Sequence, residues 1–140
     1  MEPEIVSTDA PDPSARDAIL KHLMAFNEEM GGPANFRRLA LLIRNPSTGE
    51  VTGGLWSGTA WGWLFVDLLF VPTDMRGTGL GTRLMRLAEE EAVRRGCRGA
   101  WLDTYSFQAR GFYERLGYST FGTIEGYPPS HSRFFMKKAL

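Results

Sequence analysis

Residues 64 to 96 run an apolar strand, a glycine-rich turn and a helix in immediate succession, and few folds accommodate that order. Leu64-Phe65-Val66-Asp67-Leu68-Leu69-Phe70-Val71 is β-branched, aromatic and nearly all apolar, the pattern of a strand buried on both faces. Asp67 is its one charge. Pro72 stops the strand, because proline has no N–H to donate to a ladder. Gly77, Gly79 and Gly81 follow, and then Leu80, Leu84, Ala88 and Ala92 recur at helical spacing. Met85 and Leu87 widen that stripe until Arg94-Arg95-Gly96 closes the helix. The glycines thus occupy a helix N-terminus, where the first N–H groups lack intrahelical acceptors and the macrodipole adds about half a positive charge. A phosphate suits this position.

The charges of the helix point the same way. Arg76, Arg83 and Arg86 lie in or near its first half and Glu89-Glu90-Glu91 in its second, the reverse of what the dipole prefers. A bound anion offsets that conflict, and Arg76, inside the turn, is assigned to it. Glu90 with Arg94 and Glu91 with Arg95 read as ordinary i,i+4 surface pairs. A nucleotide P-loop would need Lys and then Ser or Thr after its last glycine, whereas Gly81 is followed by Thr82-Arg83. A dinucleotide fingerprint would need G-x-G-x-x-G, whereas this turn reads G-x-G-x-G. Asp103, at the end of the next predicted strand, imitates the ribose-binding acid of that motif. Too little chain remains, however, for the further βα units such a fold requires.

Val71-Pro72 followed by Arg76-Gly77-Thr78-Gly79-Leu80-Gly81 resembles the acetyl-CoA-binding motif of the GNAT superfamily of N-acetyltransferases. Ser106-Phe107-Gln108-Ala109-Arg110-Gly111-Phe112-Tyr113-Glu114-Arg115-Leu116-Gly117-Tyr118 is similar to that family's second segment, N-x-x-A-x-x-F-Y-x-x-x-G-F, with Ser106 in place of the Asn. The resemblance implies an α/β fold in a single GNAT-like domain over residues 1–140. It implies a mixed central sheet of about six to seven strands, a parallel β-α-β cofactor core and flanking helices. The acceptor-side half covers about residues 1–60, the acetyl-CoA core about 61–117 and the closing strands 118–140. It also implies that acetyl-CoA lies along Leu69, Phe70, Val71, Arg76, Gly77, Thr78, Gly79, Leu80, Gly81 and Thr82, with Ser106 and Tyr113 beside its pantetheine arm and sulfur. Closing strands of this kind often pair two copies into a homodimer.

The rest of the chain fits one domain. It is 43% hydrophobic and 12% aromatic over 140 residues, enough to bury a core. Its formal net charge is zero, which argues against a general nucleic-acid binder. One cysteine, Cys97, allows no intrachain disulfide. With no signal peptide or spanning apolar run in view, a cytoplasmic protein without membrane attachment is expected. Glu4-Ile5-Val6-Ser7 reads as a short edge strand. Asp12-Pro13 caps an amphipathic helix that Gly31-Gly32-Pro33 ends, and in GNAT-like proteins this region covers the acceptor site. Arg37 to Arg44 and Val51 to Ser57 form a hairpin about Asn45-Pro46-Ser47-Thr48-Gly49. A second turn near Gly58-Thr59 leads into the long strand from Trp61. Ala100 to Thr104 is the next, parallel strand, Phe107 to Leu116 a helix, and Tyr118 to Ile124 and Ser132 to Lys138 the closing pair.

Acetyl transfer from a thioester to an amine needs a neutral amine, stabilisation of an oxyanion and a proton for the departing thiolate. Tyr113, which the resemblance places near the sulfur, is the expected proton donor, and a phenol with a pKa near 10 keeps its proton at neutral pH. Asp67 is the expected base, because an unpartnered carboxylate in an apolar strand needs a reason to be there. His22 and His131 are fallback bases. Backbone N–H groups at Leu69 to Val71 are the oxyanion donors that the resemblance implies. No metal is expected, since the ligand spacing is lacking and thioester aminolysis requires none. The sequence therefore points to N-acetylation of a small-molecule amine. An acyl-CoA-binding module without turnover and, less favoured, an NAD(P)-binding redox protein are the alternatives.

Overall fold

A computed structural model describes all of residues 1–140. The elements, in chain order, are α1 (Pro13–Gly31), β1 (Arg37–Arg44), β2 (Val51–Ala60), β3 (Trp63–Phe70), α2 (Leu80–Arg94), β4 (Gly99–Tyr105), α3 (Arg110–Arg115), β5 (Ser119–Glu125) and β6 (Ser132–Ala139). The chain divides into two compact units, residues 1–34 and 35–140.

In the first unit the Asp12 side chain accepts from the Ser14 N–H at 2.9 Å, and Pro13 opens α1. That cap satisfies one of the orphan donors of the first turn. Gly32, at φ 81°, ends the helix, and no residue of α1 is buried. Glu4–Ser7 forms no strand, contrary to expectation. Two adjacent β-branched residues do not make a strand without a ladder partner.

The second unit is built on a six-stranded mixed sheet in the order β1-β2-β3-β4-β6-β5. Only β3 and β4 run parallel, and α2 is their crossover. Asn45 shapes the first hairpin by accepting from the N–H groups of Ser47 and Thr48. The second hairpin turns at Trp61-Gly62, with φ of 48° and 75°, and not near Gly58-Thr59. Positive φ at both central residues is the turn whose twist matches the flanking strands. Gly58 serves another purpose: a Cβ there would lie 2.6 Å from the Phe36 ring, so its smallness admits the ring.

Leu84, Met85, Ala88 and Ala92 of α2 are buried in the core with Leu55, Leu64, Val66, Ala100, Leu102 and Met136. Each large side chain buried there contributes about 1.5–3 kcal/mol. The α2 charges are used structurally. Arg95 donates to the carbonyls of Arg37 and Arg38 and to the Thr59 hydroxyl, all at 3.2 Å, tying the end of α2 to the β1–β2 pair. It also faces Glu91 at 3.4 Å. Arg94 bonds Glu91 at 2.9 Å, one turn position nearer than the expected Glu90. Glu89 is buried, not a surface charge: it accepts from the Tyr118 hydroxyl at 2.7 Å and from Lys138 Nζ at 2.8 Å. Cys97 is a buried thiol whose pKa burial raises.

The long central strand departs from the expectation of burial on both faces. Ser57 pairs with Val66 and Trp56 with Leu68, so Asp67 is an extra residue, a β-bulge. Beyond it Leu68 and Phe70 share a sheet face with Trp56 and are exposed. Leu69 pairs with the buried Leu55 and packs on the core. Asp67 is itself exposed and makes no hydrogen bond or ion pair.

Candidate active site

The parallel ladder between β3 and β4 has four pairs and ends at Val66↔Leu102. Both strands continue, β3 to Phe70 and β4 to Tyr105, but past that pair they part. On its other side β3 remains bonded to β2 as far as Phe70↔Gly54. Asp67, Leu69, Phe70 and Val71 therefore stand along a fork whose β4 side has no backbone partner. Asp67 and Asp103 are the first residues past the parting on their respective strands.

The turn after β3 begins with a short 3-10 segment, Thr73–Met75. Arg76 closes over it: its Nε donates to the Val71 carbonyl at 2.9 Å and its guanidinium lies 5.6 Å from the centre of the Phe70 ring. The Thr78 hydroxyl donates to the Met75 carbonyl at 2.6 Å. Gly77 and Gly79 have φ of 77° and 81°, and a Cβ on either would meet only open space. These two glycines are required by backbone conformation. Gly81 lies beside Phe112, where a Cβ would make ordinary contact with the ring at 3.4 Å. No side chain caps α2. The N–H groups of Gly77, Thr78, Gly79, Leu80, Gly81 and Thr82 donate to no acceptor in the chain, leaving a run of six donors at the positive end of a fifteen-residue helix. This cradle fits a pyrophosphate, and the open β3 edge beside it fits an extended amide-bearing arm.

Tyr113, on α3, is buried, and its ring packs edge-on against Phe112 and Tyr118. Its hydroxyl makes no hydrogen bond within the chain. Burial, reinforced by the negative charge of Asp103, pushes the phenol up to about 12, so it holds its proton at neutral pH. The helix is shorter than the expected Phe107 to Leu116. Gln108 turns back to accept from the Tyr105 N–H at 2.9 Å and the Thr104 hydroxyl at 3.0 Å, which holds the residues before α3 in a turn.

Ser106 is engaged across the fork's rim. Its N–H donates to the Ser132 carbonyl, its Oγ accepts from the Ser132 N–H at 3.0 Å, and it pairs with His131 Nδ1 at 3.1 Å. His131 in turn packs edge-on against Phe107. Sequence reasoning named His131 on its pKa alone and found no motif for it; its partner lies 25 positions away. Asp103 is likewise tied to a distant residue. Arg133 Nε and Nη2 both reach its Oδ1 at 2.9 Å, and the Arg133 guanidinium lies between 5.2 and 5.5 Å from the ring centres of Tyr105, Tyr127 and Phe135. No group of three or more His, Cys, Asp and Glu side chains is assembled in a metal-holding arrangement, and no helix is long and apolar enough to cross a membrane.

Sheet, fork and open donor run define an α/β acyltransferase. A sequence model of the Acetyltransferase (GNAT) family matches residues 9–118, and the chain belongs to that family. It is similar to an acetyltransferase of Agrobacterium fabrum, 45% identical over 119 residues that cover 85% of this chain and 86% of the relative. It is also similar to the blasticidin-S acetyltransferase of Streptomyces morookaense, 45% identical over 93 residues, 66% of this chain and 68% of the relative. Among solved structures, an acetyltransferase from Agrobacterium tumefaciens superposes with a TM-score of 0.93 at 41% identity. That match covers 98% of this chain and 99% of the other.

Proposed function

We propose that the protein transfers the acetyl group of acetyl-CoA to a primary amine of a small molecule, by direct attack in a ternary complex. The observation that carries this reading is the run of six unbonded N–H groups from Gly77 to Thr82 lying next to the parted strands. The first accounts for a pyrophosphate, the second for the arm that joins it to an acyl group. Acetyl-CoA, when bound, supplies an activated acetyl thioester. Leu69, Phe70 and Val71 hold its arm along the open edge, and those of their N–H groups that point away from β2 meet the negative charge that develops on the carbonyl oxygen. Asp67, exposed at the root of the fork, takes the proton that the acceptor ammonium must lose, directly or through one water. Tyr113 delivers its phenolic proton to the departing sulfur. Its hydroxyl, which has no hydrogen-bond partner within the chain, is free to meet that acceptor.

The zero net charge and the relative named for acetylation of blasticidin S support a small acceptor over a basic protein tail. A single parallel strand pair, β3 with β4, falls short of the successive parallel βα units of a dinucleotide site. The test is a thermal-shift titration with acetyl-CoA, CoA and NAD, followed by a screen of small amines and peptides for release of free CoA. A ligand that binds only the folded state raises the transition temperature with concentration. Stabilisation by both CoA species and amine-dependent CoA release are expected. No shift with acetyl-CoA refutes the reading, and a shift without release for any acceptor favours a binding module.

A further inference from the structure

We infer that Asp103 is a specificity-determining residue for the acceptor: the carboxylate oxygen that Arg133 leaves free receives a second cationic nitrogen of the amine substrate. This inference rests on the acetyltransferase reading above.

Position comes first. The last parallel pair is Val66↔Leu102, so Asp103 and Asp67 both stand where β3 and β4 begin to part from a spacing of about 4.8 Å. An acceptor whose reacting nitrogen is at Asp67 has its neighbouring groups at Asp103. The geometry of the ion pair comes second. An arginine clamping a carboxylate usually does so fork to fork, one nitrogen on each oxygen. Here both nitrogens meet Oδ1, and Oδ2 makes no hydrogen bond within the chain. A strand clamp is also redundant at this place, because β4 and β6 are already paired through all seven residues from Gly99 to Tyr105.

The surroundings decide the chemistry of the ligand. Asp67, Asp103 and Arg133 set two carboxylates against one guanidinium, a sum of one negative charge over these three side chains. The Asp103 side chain is only 19% exposed, which limits screening by solvent. Tyr105 and Tyr127 border the ion pair with their ring faces turned to a cation, namely Arg133, and the Tyr127 hydroxyl accepts from its Nη1 at 3.3 Å. Arg133 thus fixes Asp103 in place, while the free oxygen is offered to a donor arriving in the fork. The acceptor class is an amine that carries a further ammonium or amidinium group.

The test compares a linear diamine with the monoamine that has a methyl group in place of its second nitrogen. In the wild-type protein kcat/KM should favour the diamine by about tenfold or more, the value of one charge-assisted hydrogen bond. Asp103→Asn should bring the two substrates within about twofold of each other, through the KM of the diamine, and leave the acetyl-CoA Kd unchanged. Calorimetry on the CoA-saturated protein should show the same loss for diamine binding, with no turnover involved. If the unpaired Arg133 unfolds that variant, Asp103→Asn combined with Arg133→Gln is predicted to give the same flattening. A variant that keeps the full preference for the diamine overturns the inference. So does a wild-type protein that binds acetyl-CoA and treats both amines alike or acetylates neither. Failure of the wild-type protein to bind acetyl-CoA instead refutes the acetyltransferase reading itself.

Discussion

Val66 and Leu102 are the last residues that β3 and β4 share as parallel partners, and each is followed immediately by an aspartate. Up to that pair the two strands are an ordinary part of the core. One residue later the backbone edge of β3 is open, and two carboxylates flank the opening in different circumstances. Asp67 is an exposed bulge residue without a partner, whereas Asp103 is fixed by Arg133. The proposed division of labour, proton removal at Asp67 and substrate selection at Asp103, follows from that difference.

Replacement of Asp67 by Asn should therefore act on chemistry alone. General-base catalysis contributes about 10²- to 10⁴-fold, and kcat should fall within that range. The acetyl-CoA Kd should hold, and because the side chain is exposed and unpaired, stability should move by no more than about 0.5 kcal/mol. Steady-state kinetics and calorimetry on the same preparation check both halves.

Tyr113→Phe removes a hydroxyl that makes no bond within the protein. Deleting a hydroxyl with no partner within the protein costs the fold no hydrogen bond, so the transition temperature should stay within a degree or two, on the order expected for a few tenths of a kcal/mol. Turnover should drop by about a hundredfold or more if the phenol is the proton donor. Unchanged turnover in a folded, acetyl-CoA-binding variant would remove Tyr113 from the mechanism.

Gly79→Ala separates backbone conformation from space. Its φ is 81° and a Cβ would touch nothing, so the strain comes from the left-handed conformation alone, about 1–2 kcal/mol. Chemical denaturation should report that loss. Thermal shift should also show weaker stabilisation by CoA, since relief of the strain rotates the neighbouring N–H groups away from the cradle.

Alkaline stability tests the tyrosine pair. Tyr113 and Tyr118 both have phenol pKa values raised above the ordinary 10, the latter by burial and then by its bond to Glu89. The folded state therefore keeps these protons after the unfolded chain has released them. Their stabilisation is complete below about pH 10 and declines above it, by about 1.4 kcal/mol per pH unit for each phenol. The Tyr113 contribution levels off near pH 12, where its folded form also ionises. Urea unfolding between pH 9 and about 11.5 should show this slope, and Tyr118→Phe should roughly halve it.

What could be read from the chain followed locality. The strand, glycine turn and helix from Leu64 to Arg95 are a contiguous signal, and so is the Asp12-Pro13 helix start. The open donor run could be anticipated because glycines at a helix N-terminus leave no side chain to cap it. The second hairpin turn was misplaced because Gly58 looks like a turn residue, when it is small to admit Phe36 and the turn falls to Trp61-Gly62. The pairings Asp103 with Arg133, Ser106 with His131 and Glu89 with Tyr118 and Lys138 join residues 25 to 49 positions apart. No periodicity announces such contacts, since they depend on strand order, above all on β6 lying between β4 and β5.

The bulge at Asp67 lets the strand carry one extra residue without losing its phase. Side chains alternate strictly along a strand, so a residue added without a bulge would exchange inside for outside from that point on. Asp67 is instead taken up between the Ser57↔Val66 and Trp56↔Leu68 pairs, and Leu68 and Phe70 still face outward and Leu69 inward, as alternation from Val66 that skips Asp67 would place them. Deleting Asp67 would therefore leave those three side chains on their present faces and remove the carboxylate with the bulge. In this fold the residue proposed to move the proton stands outside the ladder, where the strand presents it to the fork without reordering the edge behind it.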